Sequence, residues 1–76
     1  MGVYLEKEGG NYFYGIGSVL YVYNNEYFED GSCVIVEDVD YTSKTMKYTV
    51  IKLELYEEDK INGFYVYDSQ LSEFKR

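Results

Sequence analysis

Apolar and polar positions alternate with period two along most of this 76-residue chain, the pattern of strands that turn one face inward. The runs are built from Val, Ile, Tyr, Phe and Thr, which fit a pleated surface, and there is no alanine to favour helices. Turn signals divide the pattern. Val3 to Glu8 predicts a first strand, stopped by Gly9-Gly10-Asn11, a hairpin signal. Tyr12 to Tyr23 predicts one long strand or two collinear pieces, bent where Gly15 and Gly17 interrupt it.

Asn24-Asn25 then turns the chain into a short segment, Glu26 to Glu29, closed by Asp30-Gly31-Ser32. A long hairpin is expected next, from Cys33 to Tyr41 and back from Met46 to Tyr56 across the loop Thr42–Thr45. On its first arm Val34 and Val36 have one parity, Val39 and Tyr41 the other, so a bulge near Glu37-Asp38 is needed to bring all four to one side. On the second arm Thr49, Ile51, Leu53 and Leu55 form the consistently apolar face, against Tyr48, Val50, Lys52 and Glu54. Glu57–Lys60 and Asn62-Gly63 make a charged connection to a last strand, Phe64 to Asp68, in which Phe64 and Val66 oppose Tyr65 and Tyr67. Ser69 could cap one C-terminal helical turn, with Leu71 and Phe74 three apart.

These elements predict a single all-β domain spanning residues 1–76. The form is a small antiparallel barrel or a strongly twisted sheet of five to six strands. The succession of bent hairpin, turn-rich loop at 24–32, long central hairpin and short final strand resembles an SH3-like barrel. The resemblance lies in the spacing of elements, so it implies a fold and carries over no binding residue.

Composition narrows the chemistry. There is no histidine, and Cys33 is the single cysteine, so neither an internal disulfide nor a structural zinc site is expected. A domain this small often needs a staple, and oligomerisation is the one that remains, which leaves a homodimer open. No basic and apolar leader follows Met1, and no apolar run approaches a membrane span. With a lone cysteine in the run Cys33–Val36, the expected setting is the cytoplasm. The net charge of −7, from 14 acidic against 7 basic residues, repels phosphate backbones and anionic membranes and attracts basic surfaces. Direct nucleic-acid and membrane binding are therefore not expected, whereas a protein partner with a basic surface is.

Catalysis fits poorly. Without histidine the commonest general base is missing, and Cys33, mid-strand among β-branched residues, reads as a small core residue. Gly15-Ile16-Gly17-Ser18 is followed by a strand pattern rather than the helix that a phosphate-cradling loop requires, so it reads as a bend. Asp38 and Asp40, with Glu37 or Glu29 near, lack the spacing of a calcium loop and read as solvated edge charges. No cofactor and no metal is expected.

The tyrosines remain. Eleven tyrosines and four phenylalanines, added to the aliphatic residues, overfill one small core, so some rings must lie outside, where tyrosine supplies rigid contact area. The expected function is that of a small acidic, non-enzymatic protein-binding module. Its type resembles the inhibitors that bacteriophages and mobile elements direct against host defence systems, here by occluding a basic or nucleic-acid-handling surface of a larger protein. The candidate partner-binding residues are Glu26, Tyr27, Phe28, Glu29 and Asp30 in the acidic loop, where binding residues concentrate, with Tyr65 and Tyr67 on the last strand. Two alternatives stand beside this reading. One is an oligomer that sequesters a small ligand such as a nucleotide signal, which would require Lys44, Lys47 and Lys52 to converge; the other is a structural subunit of a larger assembly.

Overall fold

A computed structural model describes residues 2–40, 46–53 and 63–76, apart from the side chain of Glu8. The strands are β1 (Leu5–Glu8), β2 (Asn11–Tyr14), β3 (Val19–Val22), β4 (Ser32–Asp40), β5 (Lys47–Lys52), β6 (Phe64–Tyr67) and β7 (Leu71–Ser72). All pairing is antiparallel. β1 and β2 form a two-stranded sheet, and the other five form a second sheet in the order β6-β5-β4-β3-β7. The large sheet curls strongly into a half-barrel.

Chain connectivity enforces that curl. Laid flat, five strands would hold β6 and β7 about 19 Å apart. The link from Tyr67 to Leu71 is a single 3-10 turn, Asp68–Gln70, and four residue steps reach at most about 14 Å even when extended. The edges must therefore approach each other. The expected C-terminal turn is present, but as this 3-10 turn with Tyr67 at its N-cap rather than Ser69. Leu71 leaves it to pair with Val22 and is buried, whereas Phe74 is 75% exposed.

The stretch Tyr12–Tyr23 is not one strand. β2 and β3 belong to different sheets, and the chain bends between them through Gly17 at φ 92°. The Gly9-Gly10 turn takes positive φ at both residues, 56° and 89°, which is why two glycines serve there. The hairpin is then tied to the barrel at several points. Ser18, fully buried, accepts the Tyr4 N–H at 3.0 Å and donates to the Tyr4 carbonyl at 3.1 Å. The Val19 N–H reaches the Gly2 carbonyl at 2.9 Å, and the Gly17 N–H reaches the Val36 carbonyl at 2.8 Å.

The expected bulge lies where parity requires it, with the β4–β5 register shifting between Val36 and Asp38. Val34, Val36 and Val39 are consequently all buried, while Tyr41 falls outside the described residues. The face of β5 is the reverse of the expected one. Tyr48 and Val50 are fully buried and belong to the core cluster with Phe13, Leu20, Val22 and Val66. Ile51 lies in register with Ile35, and Ile35 with Val19, forming a second apolar row on the opposite face of the sheet. Leu55, the loop Thr42–Thr45 and the connection Glu57–Asn62 lie outside the described residues.

Cys33 is half-buried near the start of the central strand β4 rather than in the core cluster, beside Ser32, Lys52 and Leu53. Burial pushes its thiol pKa up, against a smaller opposing pull from Lys75.

Gly63, just before β6, lies in close contact with β5. A Cβ there would meet the Thr49 methyl at 2.5 Å and the Val50 carbonyl at 3.2 Å, and a β-branched threonine in a strand cannot swing aside. Gly63→Ala is expected to destabilise the protein by about 1–3 kcal/mol in urea unfolding. Adding Thr49→Ser, which deletes the obstructing methyl, should recover part of that loss. Equal stability of Gly63→Ala and the parent would mean that β6 does not lie this close.

Candidate functional site

The loop between β3 and β4 and the edge strand β6 enclose a shallow groove of about 370 Å³, lined by Asn24, Asn25, Glu26, Tyr27, Lys47, Tyr65, Tyr67 and Gln70. Four of the seven residues expected from the sequence, Glu26, Tyr27, Tyr65 and Tyr67, thus converge, although about forty positions separate the two groups.

Local hydrogen bonds set the loop's shape. Asn24 adopts a left-handed φ of 58°, a conformation asparagine tolerates, and its N–H donates to Asp30 Oδ1 at 2.9 Å. The Tyr27 N–H donates to Asn25 Oδ1 at 2.8 Å, an Asx turn that lifts the tyrosine ring outward. The Glu29 carbonyl accepts from Ser32 twice, from its N–H at 3.1 Å and its Oγ at 2.7 Å. Glu29 and Asp30 therefore have roles in holding the loop, and neither lines the groove.

Gln70 fastens the loop to β6. Its Oε1 accepts from Asn25 Nδ2 at 3.0 Å and from the Tyr67 N–H at 3.1 Å, while its Nε2 donates to the Asn24 carbonyl at 2.7 Å. Asn25 Nδ2 also reaches the Tyr65 carbonyl at 3.4 Å. These amides occupy backbone groups on the outer edge of β6, groups that would otherwise invite another strand. The floor of the groove is held in place without using the tyrosine rings.

Aromatic packing completes the frame. Phe64 stacks on Tyr27 at 5.1 Å between centroids and 30° between planes, and meets Phe28 edge-on at 5.6 Å and 88°. Phe28 is only 7% exposed and belongs to the core. In the free chain Phe28 therefore anchors the loop, and it is not among the residues that line the groove. Tyr27 is 55% exposed, Tyr65 58% and Tyr67 46%, because alternation along β6 sends Val66 inward and both tyrosines out. The Lys47 ammonium sits 4.1 Å from the centre of the Tyr65 ring.

The sequence reading did not find Asn25, Lys47, Phe64 or Gln70 as parts of this site. Asn24-Asn25 is legible as a turn, but nothing in a one-dimensional pattern announces that Gln70 will bridge two segments. Lys47 and Lys52 lie at opposite ends of β5 and line different recesses; Lys44 is outside the described residues. Among the described residues no group of three or more acidic or cysteine side chains is arranged to hold a metal ion, and no helix is long and apolar enough to cross a membrane. Compared with known proteins, the sequence matches no family model, no curated protein and no solved structure.

Proposed function

We propose that this chain is a small acidic, non-enzymatic protein-binding module whose contact face is the tyrosine groove. In this reading it occludes a basic or nucleic-acid-handling surface of a larger protein, as an inhibitor of the kind that phages and mobile elements direct at host defences, and it acts in the cytoplasm. One observation carries the proposal. Three exposed rings, Tyr27, Tyr65 and Tyr67, stand beside Glu26 on a framework whose loop is already fixed by Gln70 and Asn25. Such a framework loses little conformational freedom on binding, so more of the contact energy is retained as affinity. The charge of −7 adds attraction toward a basic partner and speeds encounter.

The separation of Lys47 from Lys52 weakens the alternative of a caged anionic ligand, because no pair of described lysines meets in the groove. The experiment is capture of partners on the immobilised protein at low and at high salt. Retention at low salt, loss at high salt and displacement of nucleic acid from the retained protein are expected. If no protein is retained at low salt, or the retained protein keeps its nucleic acid, the reading fails.

A further inference from the structure

The tyrosine faces of this protein are already used to receive cations. Lys7 lies 5.4 Å from the centre of the Tyr12 ring, Arg76 lies 4.8 Å from that of Tyr23, and Lys47 lies 4.1 Å from that of Tyr65. Of these three contacts, the last lies inside the groove. An ammonium over an exposed ring is held weakly and exchanges readily with solvent. Beside it, the polar acceptors of the groove floor are taken up internally. Asn25 Oδ1 accepts the Tyr27 N–H, the Asn24 carbonyl accepts Gln70 Nε2, and Gln70 Oε1 accepts twice. The Glu26 carboxylate has no hydrogen bond or ion pair among the described residues.

Resting on the contact-face reading above, we infer that the groove is an arginine-binding site and that Lys47 is its resident placeholder. A partner's guanidinium displaces the Lys47 ammonium from the Tyr65 ring and forks onto Glu26. Three features select arginine. Its planar cation stacks on an aromatic face, it sheds water more easily than an ammonium, and its paired N–H groups match a carboxylate. Lys47 cannot satisfy Glu26 in the same way, since its ammonium is a compact point charge without the paired N–H groups that match a carboxylate. The occupant is therefore an arginine side chain on an exposed basic segment of a protein.

The test is an NMR titration of the whole protein with a blocked Gly-Arg-Gly peptide and with its citrulline analogue, which keeps the shape and removes the charge. Saturating shifts at Glu26, Lys47 and Tyr65 are expected with the arginine peptide, with affinity for citrulline lower by roughly tenfold. Lys47→Met, which clears the placeholder, should tighten the arginine peptide by roughly threefold. Equal binding of the two peptides, no shift at these residues, or weaker binding by Lys47→Met overturns the inference. The two readings fail separately. A retained protein partner with no response to the arginine peptide sinks only the arginine assignment. A peptide response with no protein retained at low salt sinks the contact-face reading.

Discussion

Replacing Tyr48 with phenylalanine lowers the unfolding free energy by about 1–3 kcal/mol, although a single oxygen is removed from a fully buried side chain. The hydroxyl joins three elements. It accepts the Tyr14 N–H of β2 at 3.1 Å and donates to Asp68 Oδ1, in the 3-10 turn, at 2.9 Å. Its loss leaves the part-buried Tyr14 N–H without its acceptor, while the exposed Asp68 carboxylate turns to water, and an unmet donor costs more than the bond itself contributes. Tyr48→Ala also removes the ring that packs at 5.8 Å against Tyr14. That change should cost about 3–5 kcal/mol, comparable to the whole stability of a domain this size. The phenylalanine variant is therefore the informative one, read by urea unfolding, and a change within measurement error would contradict the placement of Tyr48.

The same residue gives a pH dependence. Burial, reinforced by Asp68, raises the Tyr48 pKa well above the usual tyrosine value, with the Tyr14 N–H acting in the opposite sense. The folded state thus holds the proton more tightly than the unfolded chain does. The resulting stability is fully present below the unfolded pKa of about 10 and falls as pH rises above it toward the folded value. Tyr14 is raised as well, through burial, Glu73 and Asp68, so both contribute to alkaline unfolding. Tyr48→Phe should flatten the loss of stability above that pH and leave Tyr14 to supply the remainder; an unchanged slope would contradict this.

The double change Tyr65→Thr with Tyr67→Thr has the opposite profile. Stability should fall by about 1 kcal/mol or less, because both rings are half-exposed and threonine keeps the strand propensity of β6. Partner affinity should fall by roughly a hundredfold, since large aromatic residues at the centre of a contact carry most of its energy. The two effects are measured on the same sample, by urea unfolding and by binding to the captured partner. Wild-type affinity in the double variant would remove the groove from the contact.

Residue pattern disclosed much of this architecture and less of the site. The Glu37-Asp38 bulge was legible because parity breaks there between Val36 and Val39, and a buried face tolerates no such break without an extra residue. The inward face of β5 was misread for a physical reason. Tyr48 carries a hydroxyl and counts as half-polar in a pattern, yet its oxygen is satisfied inside by Tyr14 and Asp68. The bend at Gly15–Gly17 was visible, but that it separates two sheets depends on Ser18 and Val36 meeting in space. In the site, the tyrosines of β6 were found through simple alternation. Phe28 packs edge-on against Phe64 and joins the core cluster, which its place in an acidic loop does not announce. Gln70 and Lys47 act through contacts with Asn24 and Asn25 of the loop and with Tyr65 of the neighbouring strand, which sequence spacing does not encode.

Among the described residues the exposed tyrosines form two separate sets, and the contact-face account depends on only one of them. Tyr27, Tyr65 and Tyr67 surround the groove, while Tyr4 and Tyr12 lie on the β1–β2 hairpin and the segment leading into it. Photochemically induced nuclear polarisation reports solvent-accessible tyrosine rings one by one, so it can be recorded on the free protein and on its complex with the captured partner. The account requires the signals of Tyr27, Tyr65 and Tyr67 to vanish on binding while those of Tyr4 and Tyr12 persist. Loss of the Tyr4 and Tyr12 signals with the groove tyrosines still accessible would contradict it.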